Sequence, residues 1–320
     1  MCIKMNYVST HKLKSFLVIL FCFFVFIALS QSKQEEIVYI PYTGDADSFV
    51  TKLEQEGFIN NKFSGLILRV MLALKGEIEP GGYAFTKGMG AVSTALALDE
   101  PKYKYVLIFD GFRKGQIAEI VGEKLGWTPN EIEAFAEVSP VCSLKGQEGF
   151  LASGTYLIHT KEDIDVVKET MQKSFNTILE ELGVDKKDIS VPEVITMASL
   201  IQREAAGKSD MRLISGIIHK RLDIGMPLQI DATLQYAKGT PEDWWPVPTS
   251  EDKYIDSPFN TYQNEGLPPA PIATPSKEAI SAALNPMRTD CLFYIHDDRR
   301  NIHCATNYNQ HKRNIRYYLQ

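Results

Sequence analysis

Residues 190–205 read SVPEVITMASLIQREA, and this stretch decides how the second half of the chain folds. Ser190, followed by Pro192 and Glu193, is typical of a capping box that opens a helix. Apolar side chains then recur every three or four positions and form one stripe, which consists of Val194, Met197, Ala198, Ile201 and Ala205. The stretch therefore predicts a helix that packs on a core through this stripe.

Glu204 is an acid on the apolar side of this predicted helix. At about 100° per residue, its side chain projects between Leu200 and Ile201. Loss of water there disfavours the carboxylate and raises its pKa, so the group can hold a proton near neutral pH, as a general acid must. The alternative is a buried structural acid paired with Arg212 or Arg221, and the stripe alone does not decide between the two roles.

An uncharged and strongly apolar run covers residues 15–32 and follows two lysines. Its length and basic flank predict a single-pass membrane anchor. The tail, residues 1–14, is then expected in the cytoplasm and the rest of the chain on the outer side of the membrane. Small residues at Ala28 and Ser30 leave a cleaved signal peptide as the alternative.

Composition is that of an ordinary globular protein, with 320 residues of which 44% are hydrophobic and 23% charged. Residues 1–32 hold three of the 34 basic side chains and none of the 40 acidic ones, so 31 basic and 40 acidic residues leave a net charge of −9 on the rest. Binding to nucleic acid requires a concentrated basic face. We therefore do not expect nucleic acid as a partner.

Three cysteines lie beyond the apolar run, at Cys142, Cys291 and Cys304. None belongs to a Cys/His cluster with the spacing of a zinc site. Cys291 and Cys304 can form at most one bridge, across a hairpin near the C-terminus. The favoured interpretation of all three is that of small buried apolar residues.

Two stretches, residues 37–85 and 105–158, repeat the order strand, helix, helix, strand, which suits small binding modules or is a coincidence. The pattern predicts an α+β fold with an N-terminal α/β subdomain at 36–104, a second subdomain at 105–158 and a mixed α/β domain at 159–320 whose second half is rich in loops. Helices are expected over about 161–182, 190–205, 210–222 and 276–284, and a hairpin over 292–306. The polar loops between them are where ligands tend to bind.

Four motifs follow one another in the last domain, at residues 198–205, 221–231, 257–262 and 266–272. In this order and spacing they closely resemble the YceG/MltG-like endolytic murein transglycosylases, over roughly residues 36–316. The resemblance implies a single-pass inner-membrane protein with a LysM-like module ahead of the catalytic domain. Such proteins cleave the glycan strands of nascent peptidoglycan internally, and cell-wall synthases are candidate partners.

What the resemblance implies for Glu204 is the role of catalytic acid, because it holds the second acidic position of the family motif Ala-Ser-x-x-Glu-x-Glu. Gln202 replaces the first Glu, which leaves one carboxylate in the motif. The acid is expected to protonate the oxygen that leaves between MurNAc and GlcNAc. The sugar's own C6 hydroxyl then closes a 1,6-anhydro end, and no metal or cofactor is implied.

Five polar residues of the later motifs are candidates for lining the glycan groove: Gln229, Asp231, Asn260, Thr261 and Tyr262. The alternative for each is a contact that stabilises its loop, with Asn260 closing an Asx turn and Asp231 capping a turn. Trp244 and Trp245 are read either as glycan contacts or as buried anchors.

Two other functions stay open on the sequence. In a non-catalytic scaffold, the LysM-like module would hold glycan and Glu204 would be structural. A hydrolytic muramidase would use water and needs a second acid beside Glu204, for which Asp231 and Glu265 are the candidates.

Overall fold

The computed structural model describes residues 35–40, 46–59, 62–76, 78–137, 147–185 and 190–319. They belong to two compact units, the first ending at Lys102 and the second starting at Tyr103. Both units combine helices and strands, which confirms a mixed α/β protein. The finer division at residue 158 stays a prediction. The predicted anchor lies outside the described residues, and no described helix has the length and apolar character needed to span a membrane.

The first unit contains, in order, β1 (Glu35–Ile40), α1 (Ala46–Gln55), α2 (Lys62–Lys75), β2 (Gly81–Thr86) and α3 (Ala91–Ala97). β1 and β2 pair antiparallel, with Val38 opposite Tyr83. Because side chains alternate along a strand, Val38 and Ile40 are buried while Tyr39 is exposed. The predicted strand, helix, helix, strand order is confirmed here, and α3 is an addition that the pattern did not predict.

The second unit opens with the same order, in β3 (Tyr103–Ile108), α4 (Lys114–Leu125), α5 (Pro129–Ala136) and β4 (Gly154–His159). β3 and β4 pair antiparallel, with Val106 opposite Tyr156. Gly126 ends α4 in the left-handed conformation at φ 76°. A capping box between Thr128 and Glu131 then starts α5. These signals are local, which is why the sequence pattern located this module.

The remaining elements are α6 (Ile164–Glu181), α7 (Val191–Glu204), α8 (Met211–Asp223), α9 (Asp231–Lys238), a 3-10 turn (Glu251–Tyr254), α10 (Lys277–Leu284), β5 (Phe293–His296), β6 (Ile302–Ala305) and α11 (Tyr308–Tyr318). The four predicted helices and the hairpin are confirmed. α9 and α11 were not predicted. α9 has only eight residues, and α11 is mostly polar and has no buried side chain, so neither stands out as a core-packing helix in the sequence.

Helix α7 lies at the centre of the core of this unit. Every residue from Ile195 to Ile201 is buried, so the helix is enclosed nearly all round and not only along the predicted stripe. Ser199 accepts the N–H of Ile272 at 3.0 Å, and Gln202 accepts the N–H of Ser276 at 3.0 Å. These bonds fasten the loop of the fourth motif, and the start of α10 beyond it, to the helix. The predicted capping box is wrong, because the side chain of Ser190 makes no capping bond.

A disulfide joins Cys291 to Cys304 across the hairpin of β5 and β6, with their Cα atoms 5.7 Å apart. The favoured interpretation of these two cysteines as unpaired buried residues is therefore wrong. Cys142 lies outside the described residues. The bridge ties both strands of the hairpin that faces α7.

Candidate active site

Glu204 is the last residue of α7, where the helix leaves the core, and its side chain is half-buried. The hydroxyl of Tyr294, on β5, donates to its Oε2 at 2.5 Å. The backbone N–H of Ala232, in the first turn of α9, also donates to the carboxylate. The acid thus sits among elements that are far apart in sequence.

The pKa of Glu204 is raised, mainly because burial removes water from the carboxylate, with a smaller upward contribution from the negative charge of Asp231. The hydrogen bonds from Tyr294 and Ala232 lower the pKa and offset part of this rise. Burial also raises the pKa of the Tyr294 hydroxyl well above its ordinary value, so the phenol stays protonated and keeps donating. A carboxyl with these neighbours can hold a proton closer to neutral pH than an exposed one.

Neither arginine that we considered as a structural partner donates to Glu204, although the charge of Arg221 interacts with it at longer range. Arg221 donates through Nε to the carbonyl of Leu292 at 2.7 Å, and through its Nη1 to the carbonyls of Pro227 and Leu228. Arg212 donates to the carbonyl of Asn285. The paired-acid alternative is therefore wrong for these two residues. Arg221 instead fastens the backbone on either side of the acid.

Asp231 is the second carboxylate of the site and the first residue of α9. Its Oδ1 accepts the hydroxyl of Tyr262 at 2.6 Å, and its charge reaches Glu204. Burial, and then this bond to Asp231, raise the pKa of Tyr262. Gln229 is exposed and has a left-handed φ of 51°, a conformation that is uncommon for residues other than glycine. The structure therefore brings Glu204, Asp231 and Tyr262 together, with Gln229 two residues away from Asp231.

Asn260 and Thr261 lie inside the loop rather than along a groove, which corrects their expected part in sugar binding. Asn260 is fully buried, and its amide donates to the carbonyls of Lys253 and Ile255 while its carbonyl accepts the N–H of Tyr262. This is the Asx-type contact that the sequence left open.

Thr261 is likewise almost fully buried. Its Oγ1 accepts the N–H of Ile230 at 3.0 Å, and its carbonyl accepts the N–H of Gln229 at 3.0 Å. Both polar groups are occupied by backbone partners, so Thr261 fixes the segment that carries Gln229 and Asp231.

The two tryptophans fit the anchor interpretation. Trp244 lies against Gly115 of α4, where a built Cβ would come within 2.3 Å of the ring, and its Nε1 donates to Glu119 at 3.0 Å. Trp245 donates to Gln116 at 3.0 Å, and its ring stacks under the guanidinium of Arg203 at 3.7 Å. Both side chains join the loop after α9 to α4.

Tyr294 and the Ala232 amide escaped the sequence reasoning as site components, whereas Arg221 was considered only as an ion-pair partner of Glu204. A tyrosine in a short hairpin strand is ordinary, and a backbone amide carries no sequence signal, so nothing local singles them out.

Two cavities, of about 510 and 420 Å³, lie elsewhere, against Lys220 and Met287 and against Glu193 and Pro268 respectively. Over the described part of the chain, no group of three or more His, Cys, Asp or Glu side chains is arranged to hold a metal ion. The site is thus recognised by its paired carboxylates and their tyrosine donors.

The chain is similar in sequence to proteins that are named for one activity. An endolytic murein transglycosylase of Streptococcus pneumoniae is 28% identical over 331 aligned positions, which cover 89% of this chain and 59% of that protein. One of Bacillus subtilis is 38% identical over 151 positions, covering 46% of this chain and 41% of that protein. The chain thus spans about three fifths of the length of the streptococcal relative.

A solved structure and a family profile cover most of the chain. The 2.6 Å crystal structure of a YceG-like protein of Listeria monocytogenes matches with a TM-score of 0.58 at 25% identity, over 88% of this chain and 99% of that chain. The profile of the YceG-like family matches residues 38–317. The chain therefore belongs to the YceG-like family.

Proposed function

We propose that this protein is an endolytic peptidoglycan lytic transglycosylase, with Glu204 as its catalytic acid. It cleaves the β-1,4 bond between MurNAc and GlcNAc within nascent strands and leaves 1,6-anhydro-MurNAc ends, which terminates strand elongation. The observation that carries the proposal is the environment of Glu204. Its carboxyl is half-buried, its pKa is raised, and its side-chain hydrogen bond comes from a tyrosine hydroxyl. The names of the relatives support the same activity.

A single carboxyl suffices for this reaction. Protonated Glu204 gives its proton to the glycosidic oxygen as the bond to C1 breaks. The carboxylate that results takes the proton of the C6 hydroxyl on the same sugar, and that oxygen closes onto C1. The acid is regenerated and no water is consumed. Intramolecular attack also has an entropic advantage over attack by an external molecule.

Asp231, Tyr262 and Gln229 are proposed to contact the strand beside the acid. The negative charge of Asp231 favours positive charge that develops at C1, and it raises the pKa of the acid. The half-buried ring of Tyr262 offers an apolar face for a sugar, and the exposed amide of Gln229 can bind an N-acetyl or hydroxyl group. Thr261 and Asn260 keep these residues in place.

A hydrolytic muramidase is the second candidate, because the charge of Asp231 reaches Glu204. Two nearby carboxyl groups are what a glycosidase needs when water is the nucleophile. Asp231 would then be the group that activates water, after the hydrogen bond that it accepts from Tyr262 has been released.

The cellular setting is also a proposal. Residues 15–32 anchor the chain in the inner membrane, and the domain at 159–320 acts on the outer, periplasmic side. The module at 105–158 is LysM-like and holds glycan, and cell-wall synthases are candidate neighbours. The apolar run and the strand, helix, helix, strand order support these assignments.

The test is mass spectrometry of glycan ends after the full-length protein has acted on uncrosslinked peptidoglycan in ¹⁸O-labelled water. We expect unlabelled 1,6-anhydro ends, absent with Glu204→Gln and present with Glu193→Gln, an exposed acid in the first turn of α7. Reducing ends carrying ¹⁸O would instead establish hydrolysis. Intact strands from the wild-type protein would refute both candidates and favour a scaffold.

A further inference from the structure

Tyr294 contributes the shortest hydrogen bond that Glu204 accepts from a side chain, 2.5 Å from the phenol oxygen to Oε2. Because burial and the charge of Glu204 keep the phenol protonated, it acts as a fixed donor. A donor aimed at Oε2 disfavours a proton on that oxygen. The bond from Tyr294 is kept when the proton of the acid lies on Oε1.

Two connections hold β5 against the end of α7. The first is the bond from Tyr294 to Glu204 itself. In the second, the ring of His296 lies 2.7 Å from Oδ2 of Asp210, which is buried and accepts the N–H groups of Ala206 and Gly207 just after the acid. Alternate residues of one strand thus contact Glu204 and the turn that follows it.

The start of β5 is fixed as well. Arg221 donates to the carbonyl of Leu292, two residues before Tyr294, and the disulfide ties Cys291 to Cys304, which lies opposite Tyr294 in the hairpin. The backbone around Tyr294 is therefore held by Arg221 and by the bridge, and the phenol by its own bond to the acid. Such support is what a donor needs if it is to fix the geometry of a catalytic group.

We propose that Tyr294 is the positioning residue of the reaction: it holds Oε2 of Glu204 so that Oε1 delivers the proton to the glycosidic oxygen. This inference rests on the proposed function. After transfer, the carboxylate gains a full negative charge and the phenol bond becomes charge-assisted, which stabilises the product side of the step. Tyr294 itself transfers no proton and does not touch the strand.

The first test compares Tyr294→Phe with Tyr317→Phe, an exposed tyrosine of α11, on uncrosslinked strands. We expect kcat to fall about 10- to 100-fold in Tyr294→Phe, because a bond to a charged group is lost, while KM stays near the wild-type value. The alkaline side of the pH profile should move to higher pH, since the bond from Tyr294 lowers the pKa of Glu204. Tyr317→Phe should behave as wild type.

A second substitution guards against a misfolded hairpin. Placing p-aminophenylalanine at position 294 restores an N–H donor at nearly the same point, and we expect it to recover part of kcat and of the pH profile. No recovery, together with an unchanged melting temperature, would overturn the positioning role.

The two proposals fail in different ways. An inactive wild-type protein overturns the proposed function and this inference with it. An active wild type with Tyr294→Phe unchanged in kcat and pH profile overturns only the role of Tyr294.

Discussion

Two half-buried acids of the second unit, Glu204 and Glu148, share one property and differ in their surroundings. Burial raises the pKa of both, and that of Glu148 reaches about 7. Glu204 accepts hydrogen bonds from a phenol and an amide and lies near a second carboxylate, while His296 lowers its pKa only as the smallest of the causes. Glu148 has two cations nearby, Arg113 and Lys114, which lower its pKa in part. A raised pKa alone therefore does not identify a catalytic acid.

The Glu148 cluster has the features of a structural junction. Glu148 accepts the N–H of Lys114 at 2.8 Å and the hydroxyl of Tyr236 at 3.4 Å. Arg113 donates to the carbonyls of Tyr236 and Trp244, both at 2.9 Å, and stacks on the ring of Tyr236 at 4.0 Å. These contacts join α4 to α9 and the loop beyond it. The polar groups of this cluster bond to one another and to backbone carbonyls, as expected of a structural junction.

The comparison predicts opposite outcomes for the same substitution at the two acids. Glu204→Gln should lower the rate of strand cleavage by about 10²- to 10⁴-fold, since it removes the proton donor. Glu148→Gln should leave the rate within about threefold of wild type, because an amide oxygen still accepts the N–H of Lys114. Initial rates of release of glycan ends would measure both. Equal losses in the two variants would contradict the distinction.

Arg113 should matter most for stability. Arg113→Met removes a buried cation and leaves two carbonyls and Glu148 without it, so we expect a loss of about 3 kcal/mol in the free energy of unfolding. Arg212→Met, at an exposed arginine with a single carbonyl contact, should cost less than about 1 kcal/mol. Urea unfolding monitored by tryptophan fluorescence measures both. A neutral Arg113→Met would mean that the junction is not a source of stability.

The sequence located some parts of this comparison and missed others for physical reasons. Glu204 was found because its position on α7 follows from a helical period, and the strand, helix, helix, strand modules were found because turns and caps are local signals. Tyr294 reaches Glu204 from 90 positions along the chain, through a hairpin docked by tertiary contacts. Glu148 follows a stretch in which apolar residues show no regular period. Arg113 and Lys114, far from it in sequence, become its neighbours only in the folded protein.

Asn260 is a residue that the sequence singled out but whose role it left open. Its motif marked it as polar and loop-borne, which suits both a ligand contact and an Asx turn. Full burial decides for the turn. The burial of Asn260 depends on how residues 251–262 pack on one another, and this packing cannot be read from the residue types in the loop.

Glu148 should make stability depend on pH. Its folded pKa of about 7 lies above the ordinary 4.5, so folding favours the protonated form. The stability from this group is complete below about pH 4.5 and is lost as the pH rises through about 7, by on the order of 3 kcal/mol. Glu148→Gln should flatten this slope, and Glu133→Gln, at an exposed acid of α5, should keep it. Thermal unfolding at several pH values measures how stability depends on pH. Equal slopes for the wild type and Glu148→Gln would mean that Glu148 does not contribute.

Asp231→Asn has the smallest of the expected effects, and this effect is the most specific test of Glu204. Its negative charge raises the pKa of Glu204, so Asp231→Asn should move the alkaline side of the kcat/KM profile to lower pH, by less than about one pH unit. Tyr294→Phe moves it to higher pH. Opposite shifts from two neighbours would show that the profile reports Glu204 itself, because a different titrating group would not respond to both with these signs. If Asp231→Asn instead abolishes ¹⁸O-labelled ends, Asp231 activates water and the enzyme is a muramidase. A profile unchanged in both variants would mean that a group other than Glu204 limits the rate at alkaline pH.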